Sequence, residues 1–189
     1  ALAKKNDERL AGYLVAMEQE LADEAFYTQN NIDDATKDVA SLAQGMELLP
    51  LGVDSLTEKG LLGVLITLRR GVFRAFPPMT YELMTSANDA FLIDDFEFRE
   101  TLASTASFRT DYVQKDLQQY DKMILEEVDR YGRYVDITCL KPGKKIDILS
   151  CLRDKQGLLE TGGADLLKLQ YFAQLRLFHL KRYAQRIKN

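Results

Sequence analysis

The sequence predicts an all-α protein, an elongated helical bundle with coiled-coil character, and three stretches predict it. Leu10, Leu14, Met17, Leu21, Ala25, Thr28, Ile32, Ala35, Val39, Leu42, Met46 and Leu49 recur at alternating steps of three and four, so they line one side of a helix. Val113, Leu117, Tyr120, Ile124, Val128, Tyr131 and Val135 do the same between Asp111 and Val135. Leu166, Leu169, Phe172, Leu175, Leu180, Tyr183 and Ile187 repeat it near the end of the chain.

The first seam would make a helix roughly 60 Å long at 1.5 Å per residue, longer than a compact domain of this size needs. Asn30-Asn31 lowers the local propensity and marks an expected bend, while Pro50 and Gly52 supply a stop. Ser55-Leu-Thr-Glu58 has the spacing of a capping box and predicts a helix running towards Phe76. That helix carries Leu61, Leu62, Val64, Leu65, Ile66, Leu68, Val72 and Phe73, with Arg69, Arg70 and Arg74 behind them. A buried bundle helix and an interfacial helix both fit this pattern.

Pro77-Pro78 ends it. Thr80–Met84 then reads as a short helix, and Asn88-Asp89 and Asp94-Asp95 as turn and cap chemistry. The acids Asp89, Asp94, Asp95 and Glu97 lack the glycine and terminal glutamate spacing of a calcium loop. Helical period resumes near Phe98 and is expected to carry through Val135 into Ile137, with a kink or a close helix crossing at Gly132. Lys141-Pro-Gly-Lys-Lys145 breaks it, Ile146–Gln156 reads as helix again, and Gly157 with Gly162-Gly163 predicts a loop. The last helix is expected from about Ala164 to Lys188.

Composition and motifs exclude much chemistry. The 189 residues are 46% hydrophobic and 29% charged, enough for a single well-buried domain over 1–189 and not a disordered chain. The longest apolar run, Gly60 to Leu68, is half of what a membrane span needs, and residues 1–8 hold no signal-peptide core, so a cytoplasmic chain is expected, at the membrane periphery at most. Cys139 and Cys151 are the only cysteines, and they read as two reduced thiols. His179 is the only histidine, which leaves no imidazole set for a metal. Gly143-Lys144-Lys145 lacks the leading glycine and the Ser/Thr of a phosphate loop, and no nucleophile elbow is present. Glu126-Glu127 are consecutive and diverge by about 100° around a helix. The chain therefore reads as a non-enzyme without cofactor or metal.

Charge is more informative. The net charge is −4, which argues against a general nucleic-acid binder. Yet after Asp165 the chain holds no acid, while Lys168, Arg176, Lys181, Arg182, Arg186 and Lys188 follow. Such segregation suits an anionic surface, and equally a solvated face that complements the acidic first helix.

Asp111-Tyr112-x-Gln114 and Val128-x-x-Tyr131-Gly132-x-x-Val135 resemble the second helix of BAR domains, closest to the ciliary BAR-domain-containing proteins. In that family the Tyr-Gly step leads into a Lys/Arg-rich continuation, a place taken here by Lys141, Lys144, Lys145, Arg153 and Lys155. Phe172, Leu175, Leu177-Phe178-His179 and Lys181 are similar to the closing helix, and Leu10–Leu49 would be the first. Pro142-Gly143 and the short span from Lys155 to Leu166 depart from the family pattern, and residues 53–97 have no counterpart, as an insertion or a sub-bundle. The resemblance implies a homodimer of long antiparallel bundles that binds anionic membrane through Lys141, Lys144, Lys145, Arg153, Lys155, Arg176, Lys181, Arg182 and Arg186. Two other readings stand beside it. One is a compact helical scaffold acting through protein partners; the other is a ligand-binding bundle with an apolar pocket around Phe73, Phe76 and Tyr81.

Overall fold

The computed structural model describes residues 2–48, 61, 79–136, 138 and 148–188. The protein is all-α: among the described residues 89% are helical and no strand occurs. Helix α1 spans Leu2–Leu48, α2 Thr80–Ser86, α3 Phe96–Phe108, α4 Lys115–Tyr131 and α5 Lys155–Lys188. A six-residue π-helical segment, Arg109–Gln114, joins α3 to α4, and single 3-10 turns lie at Ala90–Leu92 and Ile148–Cys151.

The predicted first helix forms, and it passes through Asn30-Asn31 without a break. Asn31 turns its amide back on the preceding turn, donating to the Tyr27 carbonyl at 2.9 Å, so the residue that competes with helix is held inside one. The expected helix from Ser55 towards Phe76 lies outside the described residues, apart from the helical and buried Leu61. The expected short helix at Thr80 is α2. Its start is held by two carboxylates: Glu82 accepts from the Met79 N–H and Glu20 of α1 from the Thr80 N–H, each at 2.8 Å. It ends at Asn88, whose φ of 58° lets the Asp89 N–H reach the Met84 carbonyl at 2.7 Å and its own N–H reach Thr85 at 3.1 Å, the Schellman closure. Asp95 caps α3 by accepting from the Phe98 N–H at 3.0 Å.

Three expected assignments are corrected. The helix expected to reach Ile137 stops at Tyr131. Beyond it the Arg133 and Tyr134 N–H groups bond three residues back, to Arg130 and Tyr131, and the helix unwinds. Val135, placed on the helical stripe by its spacing, instead forms an antiparallel bridge with Leu152. Of the stretch Ile146–Gln156, expected as one helix, residues 146 and 147 lie outside the described residues, and the rest divides into the Ile148–Cys151 turn, that bridge and the start of α5. The loop expected at Gly157 and Gly162-Gly163 is helix, because α5 is started upstream of the glycines: Asp154 accepts from the Gly157 N–H at 2.9 Å. Gly157 is also required by space, since a Cβ there would come within 2.6 Å of the Tyr134 ring and 2.4 Å of the Asp154 carboxylate.

The chain forms two compact units. The first comprises Ala1–Ile32, Arg74–Lys115 and Phe178–Asn189, with a core of Met17, Met84, Ile93 and Leu102 flanked by Leu10, Tyr13 and Tyr81. The second comprises Asp33–Phe73 and Asp116–Leu177. Its larger core joins Leu42, Leu61, Tyr120, Met123, Ile124, Tyr131, Val135, Cys151, Leu158, Leu166, Leu169 and Ala173. Each unit thus draws on α1, on the run from α3 to α4, and on α5.

Candidate membrane-binding surface and the buried charged layers

The seam of α1 is not wholly apolar. Glu24 and, two heptads on, Asp38 are buried on it, while the expected seam residue Leu14 is exposed. In the first unit Glu24 receives the Arg109 guanidinium at 2.5 Å on one carboxylate oxygen and the Tyr183 hydroxyl on the other. Arg109 is fully buried, and Glu82, itself accepting from Thr110 at 3.2 Å, stands 3.9 Å from its other terminal nitrogen. Burial pushes the Glu24 carboxyl above its ordinary value of 4.5, against the opposing pull of Tyr183 and Arg109. Burial and the neighbouring Glu24 charge push the Tyr183 phenol far up, so it stays a donor.

In the second unit Asp38 accepts from the Tyr120 hydroxyl at 3.3 Å and from Arg176 at 3.4 Å, with the guanidinium carbon 4.9 Å over the Tyr120 ring. The two layers use one vocabulary, an α1 carboxylate with one tyrosine and one arginine, but the helices supplying the partners are exchanged. Arg109 precedes α4 and Tyr183 lies on α5; Tyr120 lies on α4 and Arg176 on α5. Neither layer was singled out from the sequence. Glu24 and Asp38 fall one residue before the expected seam positions Ala25 and Val39, so the periodicity gave no signal for either.

The expected basic surface is redistributed. Lys141, Lys144 and Lys145 lie outside the described residues. Arg176, counted on that surface from its place in an acid-free helix, is only 8% exposed and is spent on Asp38. Arg153 is exposed but tied to Asp136 at 3.1 Å and to the Gly132 carbonyl at 3.3 Å. Hydrogen bonds from Thr138, then the Arg153 contact, hold the Asp136 carboxyl below the usual range. Lys155 stands exposed at the start of α5. Lys181 and Arg182 are exposed, and no ion pair to either occurs among the described residues. Arg186 is partly buried, donating to the Ser104 hydroxyl at 2.8 Å and lying 4.5 Å over the Phe108 ring.

Of the other expected candidates, Asp89 is buried and bound to Arg9 and to the Tyr13 hydroxyl, so it is part of the first core and not of an open acidic loop. No cluster of metal-ligating side chains occurs among the described residues, nor does any described helix have the length and apolarity to cross a membrane. Cys151 is a buried thiol in the second core. No protein family, no curated protein and no solved structure matches the chain.

Proposed function

We propose that the protein is a non-enzymatic helical module, a homodimer of elongated antiparallel bundles, that binds anionic membrane surfaces and protein partners. The observation that carries this reading is the acid-free stretch of α5 after Asp165, on which Lys168, Lys181, Arg182 and Lys188 stay exposed although the whole chain is net negative. Each lysine or arginine near an anionic leaflet contributes about 1 kcal/mol. Within the first unit Lys181, Arg182 and Lys188 supply about 3 kcal/mol, short of the about 8 kcal/mol that micromolar binding needs, and a second copy doubles the charge.

Co-sedimentation with phosphatidylserine vesicles tests the proposal. The wild-type chain is expected to pellet at low salt, and Lys181→Glu with Arg182→Glu to weaken binding by roughly tenfold or more, since two attractions of about 1 kcal/mol each are reversed. Equal binding by the charge-reversed variant would exclude Lys181 and Arg182 as the contact.

A compact scaffold working through protein partners is favoured by a different observation. Val15 and Phe26 lie three turns apart on one side of α1 and both are exposed, beside Tyr27. Val15→Ser with Phe26→Ser leaves vesicle binding intact if the membrane contact is on α5, and abolishes partner capture if the scaffold reading holds.

A further inference from the structure

Around the π-helical segment, four rings and two guanidinium groups form one cluster within the first unit. Phe108 stacks on Tyr112 with centroids 5.0 Å apart; the imidazole of His179 lies 5.3 Å from Tyr112 and 5.3 Å from Phe178. Arg182 sits over both Phe108 and Phe178, at 5.7 and 5.6 Å, and Arg186 over Phe108 at 4.5 Å. Phe108 is buried and anchors the cluster, but Tyr112 is 49% and Phe178 53% exposed. Large rings left half in water beside cations are costly as plain surface and suited to a boundary that is apolar on one side and anionic on the other.

We propose that this cluster is where the protein enters the membrane interface, with Tyr112 and Phe178 seated at headgroup depth and Arg182 and Lys181 on lipid phosphates. The inference rests on the membrane reading above and adds to it an apolar anchor. Charge complementarity selects an anionic bilayer over a protein groove, because from Asp165 to the chain's end no acid accompanies Lys181, Arg182, Arg186 and Lys188. The aromatic faces also restrain Arg182 before it meets a phosphate, which lowers the entropy lost on binding. The widened backbone turn fits the same role. In a π-helix the side chains are re-spaced relative to an α-helix, and here Arg109 is directed to the interior while Tyr112, within the same segment, stays exposed.

The chain contains no tryptophan, so Phe178→Trp in the 189-residue chain gives a single tryptophan at the site, excited selectively over the tyrosines. On vesicles containing phosphatidylserine its emission is expected to move to shorter wavelength and to be quenched by lipids brominated near the headgroup. Tyr112→Ser with Phe178→Ser is expected to weaken vesicle binding roughly tenfold or more while leaving its salt dependence unchanged, since apolar contact is lost and charge is not. Tyr112→Trp repeats the measurement from the other ring. If the parent chain does not bind these vesicles at all, the membrane reading itself fails and this inference with it. If the parent binds but the tryptophans neither shift nor quench and the double serine variant binds equally well, the inference alone is overturned, and the cluster is left to a protein partner.

Discussion

Glu24 and Asp38 are carboxylates where an all-apolar seam would place leucines, and their physics is testable one residue at a time. Burial raises the Glu24 pKa above 4.5, so its proton is held more tightly in the folded chain than in the unfolded one. The sign follows: this contribution is fully present below pH 4.5 and is lost as pH rises through the folded value. Stability measured by urea unfolding is therefore expected to rise as pH falls from neutral towards 4.5, and Glu24→Gln to flatten that rise. Asp111 and Asp136 act in the opposite sense. Lys115 and Ser107 depress the first and Thr138 and Arg153 the second, so their contributions disappear only at pH values below the ordinary 3.8. At the other layer, Asp38→Ala strands Arg176 inside the second core and is expected to cost about 3–5 kcal/mol, whereas Asp38→Leu with Arg176→Met recovers most of it. Denaturant midpoints of the two variants distinguish a specifying charge pair from a passive one.

At the scale of elements, the glycines separate what space requires from what it merely tolerates. Gly12 on α1 has no neighbour within 4 Å of an added Cβ, so Gly12→Ala is expected to stabilise by about 0.5–1 kcal/mol. Gly157→Ala drives a Cβ onto Tyr134 and Asp154 and is expected to cost about 1–3 kcal/mol, visible as a lower thermal midpoint. The same contrast explains what the sequence made legible. The α1 seam, the α2 helix and the turn at Asn88 were readable because period and turn chemistry are local. The end of α4 and the start of α5 were not. Val135 keeps the helical spacing but is claimed by a bridge to Leu152, and Gly162-Gly163 looks like a loop until the Asp154 cap upstream has begun the helix. Arg176 was misplaced for a related reason: periodicity puts it on α5, but only the distant Asp38 decides that it faces inward. The aromatic and cationic residues around Tyr112 were individually visible, while their meeting depends on packing between α5 and the π-helical segment.

At the scale of the molecule, each chain presents a short supply of exposed, acid-free positive charge, and two chains would present twice as much. A solution mass of twice 21.5 kDa is therefore expected, together with a radius of gyration well above the roughly 17 Å of a compact monomer of this length. Light scattering with small-angle X-ray scattering reads both. A compact monomer would remove the elongated homodimer and leave the scaffold reading. Membrane attachment through charge also predicts its own salt dependence, because exposed charges are screened over about 10 Å at 0.1 M salt. The most direct measurement is binding of the wild-type chain to phosphatidylserine vesicles and to neutral phosphatidylcholine vesicles across a salt series. The predicted result is binding to the anionic vesicles at low salt that weakens steadily as salt rises, with little binding to the neutral ones; no binding to anionic vesicles at low salt would contradict it.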